Sequence, residues 1–196
     1  MKKIILLSIT SLILSIACFA QTEHLKFKGF PITGKLSSFV STLRSAGYST
    51  VTTTENSVIM KGAFAGFEDC VVFVISTPKT KTVWKIVVYL PEQTSWYSVK
   101  SRYNTYKEQY TEKYGTTDKS FEFFSEPYYE GDGYELLALD QEKCHYNSFW
   151  KVENGHISLS IESLRYSEAN VKITYEDSKG AGLMSKEKGQ IVNDDI

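Results

Sequence analysis

Leu36, Phe39, Val40 and Leu43 fall at i, i+3, i+4 and i+7 within residues 35–46, one apolar stripe closed by Gly47, and this spacing predicts a first helix. A second stripe runs through Trp96, Val99, Tyr103, Tyr106, Tyr110 and Tyr114 over residues 94–114, ending before Gly115. Lys100, Arg102, Lys107 and Glu108 occupy the opposite face, the pattern of a helix laid across a sheet. Between the two helices, residues 50–54 are rich in β-branched side chains. Strand-length apolar runs follow at 57–66, 70–76 (CVVFVIS) and 83–90 (VWKIVVYL), the last ended by Pro91. Short turns separate these three runs, so an antiparallel meander is expected.

Beyond the second helix, strand patterns recur at 121–124, 134–139, 143–152, 156–164 and 170–176. Ile157, Leu159 and Ile161 alternate along the fourth of these, and Asn154-Gly155 before it signals a hairpin. The two halves repeat one order of elements: a helix, a short strand, a strand opening on a cysteine, a turn and an alternating strand. The expected class is therefore α+β, with two helices packed on one face of an antiparallel sheet and a pseudo-repeat of helix plus three-strand meander.

The first twenty residues break this pattern. Lys2 and Lys3 precede an apolar run from Ile4 to Ile16, followed by small residues around Ala17, Cys18 and Ala20, the order of a signal peptide. A run this short, with Ser and Thr inside it, falls below the ~20 residues of a permanent span. Cleavage after Ala20 would start the mature chain at Gln21. Cys18 offers a second route, lipid attachment, but Ser15 stands where a lipobox usually carries Leu. At the other end, residues 177–196 (DSKGAGLMSKEKGQIVNDDI) lose apolar periodicity and read as a flexible tail. The expected organisation is a signal peptide at 1–20, a single domain at 21–176 and a tail at 177–196.

Charge and cysteine content narrow the partners. Without Lys2 and Lys3, 20 basic residues face 23 acidic ones with no basic cluster, so nucleic acid is not an expected partner. An exported chain lets Cys70 and Cys144 form a disulfide, and two buried thiols are the alternative. No CxxC spacing marks a redox or zinc site.

No catalytic signature surrounds any of the three histidines. Cys144 and His145 are neighbours on a strand and point to opposite faces, which argues against a thiol and imidazole acting together. His145 and His156 could approach across the predicted hairpin, yet no third zinc ligand is in register. Glu126, Glu130, Asp132 and Glu135 form the densest acidic cluster. Counted from Glu130, Tyr134 and Gln141 fall where a calcium loop needs oxygen ligands, so neither metal nor cofactor is expected. Tyr128, Tyr129 and Tyr134 share that Pro/Gly-punctuated loop, where no core awaits them. The candidate contact surface is thus Glu126, Tyr128, Tyr129, Glu130, Asp132 and Tyr134, offered to a protein or carbohydrate.

The run LKFKGFPITG at 25–34 with the helix after it, GAFAGF at 62–67, Cys70 and the helix SWYSVKSRYNTYKEQYTEKYG at 95–115 together resemble uncharacterised exported proteins of Bacteroidota. That resemblance implies a periplasmic or extracellular location and carries no known activity. The order of elements is also similar to the helix-plus-meander repeats of β-lactamase-inhibitor-like domains, a likeness of architecture that transfers no function. The expected function is a non-catalytic periplasmic or secreted binding domain with no transmembrane span after signal removal. A hydrolase assembled from distant residues and a structural component of an envelope complex are the alternatives.

Overall fold

The computed structural model describes residues 24–165 and 167–195. The signal peptide, Cys18 and its lipidation lie outside them. In chain order the elements are β1 (Lys26–Phe27), β2 (Phe30–Pro31), α1 (Leu36–Ser45), β3 (Ser49–Thr53), β4 (Ser57–Phe64), β5 (Phe67–Ser76) and β6 (Val83–Tyr89). There follow α2 (Trp96–Tyr114), β7 (Lys119–Phe124), α3 (Glu135–Asp140), β8 (Cys144–Val152), β9 (Gly155–Arg165), β10 (Glu168–Asp177) and α4 (Ser178–Asp195). The fold is α+β, built on one large antiparallel sheet.

Eight strands pair in the order β3-β4-β5-β6-β10-β9-β8-β7, so each half contributes four consecutive strands and the last strand of each, β6 and β10, meet at the centre. The meander expected over 57–90 is thereby one strand longer than its three-strand reading, because β3 pairs with β4. The cysteines do not occupy equivalent places in the halves. Cys70 lies on the third strand of the first half and Cys144 on the second strand of the second. Four inter-strand steps of ~4.8 Å separate β5 from β8, or ~19 Å against the ~7 Å limit for a disulfide. Both are free, buried thiols, which corrects the expected bridge.

Alternation along the strands buries one face. Met60, Val72, Val74, Ile86, Val88, Ile157, Leu159, Val171 and Ile173 are sequestered, and the ladder registers place them on the same side. Helix α2 packs there through its aromatic stripe, and each buried hydroxyl finds a partner. Tyr103 Oη hydrogen-bonds Ser148 Oγ at 2.6 Å and donates to Glu122 Oε1 at 3.1 Å. Tyr106 Oη donates to the Ala65 carbonyl, and the hydroxyls of Tyr110 and Tyr175 bond each other. Desolvation drives the Tyr103, Tyr110 and Tyr175 hydroxyls well above their ordinary pKa, so they remain neutral donors.

Two further expectations are corrected, those for residues 134–139 and for 177–196, and one element was not foreseen. Residues 135–140 are helix α3, where a strand was expected over 134–139: the apolar run LLAL is too short for periodicity to tell the two apart. The leader before α1, residues 24–35, carries the small β1–β2 hairpin and buries Phe27 and Ile32. Residues 178–195 form α4, where a flexible tail was expected.

Asp177 starts α4 and ties it to the leader. Its Oδ2 accepts the Gly180 N–H at 2.8 Å, a helix cap, and contacts His24 Nδ1 at 2.9 Å, while Oδ1 accepts the Leu25 N–H at 2.9 Å. Farther along, Gly180, Leu183, Met184, Glu187 and Ile191 form the less exposed stripe of α4. Glu187, 2% exposed, accepts hydrogen bonds from the backbone N–H of Lys79 and Thr80 and from Thr80 Oγ1 in the β5–β6 turn. Burial raises the pKa of that carboxyl, but the bonds from Thr80 and Lys79 outweigh it and leave the value below the ordinary 4.5.

Candidate functional site

The loop expected to make contacts is held together by its own acidic groups. Asp132 Oδ2 accepts the Tyr129 N–H at 3.1 Å and its Oδ1 the Tyr134 N–H at 2.7 Å, a side-chain-closed turn. Glu135 accepts the Gly131 N–H at 2.9 Å. Glu130 pairs with Lys100 of α2 and receives the Tyr146 hydroxyl at 3.5 Å; the Lys100 ammonium holds its carboxyl below the ordinary range. Tyr128 donates to Gln141 Oε1 at 2.8 Å and packs against the core. Of the six residues singled out, Glu126, Tyr129 and Tyr134 present free side chains to solvent, the two tyrosines at 65% and 59% exposure. The loop joins these residues in one ordered segment, but most of its charge is consumed in shaping it.

The histidines do not assemble a site. His156 pairs in register with Lys151, and His145 lies six residues farther along β8, ~20 Å away, so the approach across the hairpin that the sequence left open does not occur. His145 packs at a tilt against Phe123, ring centroids 5.0 Å apart, and His24 is bound to Asp177. Neither thiol hydrogen-bonds an imidazole among the described residues. Cys70 Sγ donates to the carbonyls of Phe64 and Phe67 at 3.5 and 3.8 Å. Burial pushes the Cys144 thiol up to about 12, with Glu130 and Glu135 adding to it, and burial also raises Cys70. These are inert thiols. No group of three or more His, Cys, Asp or Glu side chains gathers as a metal site among the described residues.

A larger surface lies on the sheet face opposite the buried one. Its residues run in rows set by the ladders. One row carries Lys61, Val71, Tyr89, Lys172, Ser160, Asn147 and Phe121; the next carries Ile59, Phe73, Val87, Thr174, Ser158 and Phe149. Apolar and aromatic side chains occupy the two flanks. Phe121, Phe123 and Phe149 are 47%, 47% and 39% exposed on one, and Phe73 and Tyr89 pack edge to face on the other with centroids 5.6 Å apart. The strands β6, β10 and β9 carry ion pairs, Lys172 to Glu162 and Lys85 to Glu176 at 3.3 Å, with Ser160 Oγ donating to Glu162 at 2.7 Å.

Two shallow grooves follow the flanks. One of about 800 Å³ runs past Phe73, Tyr89, Asp69, Glu92, Glu162 and Asn170, and one of about 910 Å³ past Phe121, Phe149, Lys172 and Glu176. Asn170 is 4% exposed, and no donor among the described residues reaches its Oδ1. Sequence reasoning missed this face because alternation marks which residues leave the core without saying what covers them. The available signal was the polar set Asn170, Lys172, Thr174 and Glu176 alternating along β10 with aromatics on the neighbouring strands. Searches of protein-family models, curated proteins and solved structures find no match to this chain.

Proposed function

We propose that this chain is an exported, non-catalytic binding domain that receives a protein partner on the open face of its eight-stranded sheet. The observation that carries the reading is the asymmetry of that sheet. One face is sealed by core side chains, while the other leaves aromatic rings half-exposed on either side of a fixed line of ion pairs. Both α1 and α2 belong to the sealed side in this reading. Supporting α1 there is the chain just after it: the Tyr48 ring, whose hydroxyl donates to the Ala63 carbonyl at 2.6 Å, lies so close over Gly62 that a Cβ at that position would sit 2.4 Å from it.

Size favours a macromolecule. Seven inter-strand steps of ~4.8 Å by five residues of ~3.4 Å give a surface on the order of 600 Å², close to the ~800 Å² each partner contributes to a standard interface. Aromatic anchors beside internally neutralised charges suit a protein surface, because the charges fix register while the rings supply the burial. Export rests on the sequence pattern of residues 1–20 and on the resemblance to exported proteins. No helix among the described residues is long and apolar enough to cross a membrane.

The test is to recover the protein from its host's envelope and medium with Phe149→Glu and, separately, Phe121→Glu. Both side chains are exposed, so folding tolerates the change. Loss of one specific partner with both variants, and its retention with Tyr97→Glu on the outer face of α2, supports the reading. Equal recovery with all three variants contradicts it.

A further inference from the structure

We infer that the groove over β5, β6, β10 and β9 is a subsite for a guanidinium side chain, an arginine of the protein partner; the inference rests on the open-face reading above. Asn170 carries the argument. It sits on the central strand β10, its cross-strand neighbour is Glu162, and its side chain leaves the sheet on the open face and lines the groove. It is 4% exposed, and its Oδ1, buried under the groove surface, has no hydrogen-bond donor among the described residues. A buried, unmatched amide is disfavoured by roughly 1–3 kcal/mol, so a Val or Thr would suit a merely structural position in β10 better. Glu162 cannot supply the missing donor: it is itself an acceptor, already bound by Lys172 and Ser160.

The rest of the groove is made of acceptors and apolar surface. Asp69 and Glu92 lie exposed at its rim, and neither carboxylate has an ion-pair or hydrogen-bond partner among the described residues. Tyr89, held edge to face against Phe73, presents a ring at the floor, and Leu164 adds a 46%-exposed aliphatic wall. The single cationic group in the lining is Lys61, at the exposed end. The ligand that completes this set donates hydrogen bonds in one plane, carries positive charge and tolerates contact with an aromatic face. Guanidinium meets all three conditions: it has five donors in a fixed fork and stacks on rings. A hydroxylated ligand such as a sugar needs donors from the protein as well as acceptors, and the groove supplies mainly acceptors. An alkylammonium is a point donor that cannot serve Asn170 and a rim carboxylate together as one planar group.

The experiment is a titration of the full mature chain, followed by the backbone amide signals of its NMR spectrum, with N-acetyl-arginine methylamide. N-acetyl-citrulline methylamide, which has nearly the same shape without the charge, is the control. The expected result is a saturable shift confined to residues around Phe73, Tyr89, Glu162 and Asn170. A dissociation constant on the order of 1 mM suits so small a probe. Binding should be at least ~5-fold weaker for the citrulline probe and weaker again in high salt. Glu92→Gln and Asp69→Asn change exposed side chains and should each reduce affinity by about 3-fold with the fold unaltered. Asn170→Val should abolish binding without lowering the unfolding midpoint. Equal binding of the two probes, shifts elsewhere on the protein, or full affinity in Asn170→Val overturns the subsite. An absence of arginine-dependent shifts overturns it too, and leaves the open face to its own partner test.

Discussion

Three glycines in α4 separate docking from flexibility. Gly182 and Gly189 are exposed, and a Cβ built on either meets nothing within 4 Å. A Cβ on Gly180 would sit 2.5 Å from Trp84 Cβ and 2.9 Å from Trp84 Cα, about 1 Å inside normal carbon contact. Trp84 belongs to β6, which is paired on both sides, so the helix must give way and the sheet stays put. Gly182→Ala should stabilise the protein by ~0.8 kcal/mol from helix propensity, and Gly189→Ala by the same or less near the helix end.

Gly180→Ala gains the same propensity but incurs an overpacking cost of ~1–3 kcal/mol and loosens the Asp177 cap, which spans only three residues. A net loss of about 1–2 kcal/mol follows, so Gly180→Ala and Gly182→Ala should differ by ~2–3 kcal/mol, or roughly 4–12 °C in midpoint for a chain of this size. Thermal melts followed by far-ultraviolet circular dichroism read the sign, and hydrogen exchange at α4 amides locates it. If all three variants move together, or none moves, α4 is not docked against Trp84.

Asp177→Ala should destabilise by ~2–4 kcal/mol, since it removes a cap and strands the buried Leu25 N–H; denaturant unfolding measures it. Glu187 sets an acid response. Its carboxyl pKa is lower in the folded chain than the ordinary 4.5, so the folded state binds fewer protons and stability rises with pH across that window. The contribution is complete above ~4.5 and disappears as pH falls through the folded value. Exchange protection in α4 should therefore fall in acid, and Glu187→Gln should flatten the dependence; a wild-type profile with no acid limb, or one unchanged by the substitution, contradicts this. For Cys70 and Cys144, the native chain should resist maleimide and take up two equivalents once unfolded. Rapid native labelling, or no labelling after unfolding without reductant, counts against buried free thiols.

Much of the fold was legible because its helices and strands obey simple periods. The stripes of α1 and α2 are regular to within three- and four-residue steps, Gly47 and Gly115 punctuate their ends, and Pro91 follows β6. The Asn154-Gly155 hairpin was found, but Glu153 and Asn154 make its turn. Gly155 opens β9, where a Cβ would sit 2.1 Å from the Glu176 carbonyl, so that glycine serves close strand approach. Helix α4 was hidden because its inward stripe has Gly180 at one end and Glu187 in the middle, a small residue and a charged one where apolar side chains are expected. Each is explained by a long-range partner, Trp84 and the β5–β6 turn, that no local pattern reveals. The disulfide expectation failed because export and a pair of cysteines say nothing of place in the sheet, where β5 and β8 lie four strand steps apart.

The candidate site divides in the same way. The loop at 126–134 was legible as a Pro/Gly-punctuated, Tyr-rich acidic loop, but the use of Glu130 and Asp132 to close it follows from Lys100 and from backbone geometry. Asn170 belongs to the polar alternation along β10, but nothing local marked it as buried. Its register partner Glu162 and the Pro91 that lines the same groove come from other segments, and its unmet amide oxygen exists only in the assembled sheet.

Photo-crosslinking in the host envelope tests the central claim most directly, with a photoreactive phenylalanine analogue placed in turn at Phe149 on the open face, Tyr129 on the acidic loop and Tyr97 on α2. The account predicts one protein adduct of defined mass from Phe149, absent from Tyr97 and lost when Phe121→Glu is added to the Phe149 probe. An adduct formed only from Tyr129, or formed equally from all three positions, contradicts it.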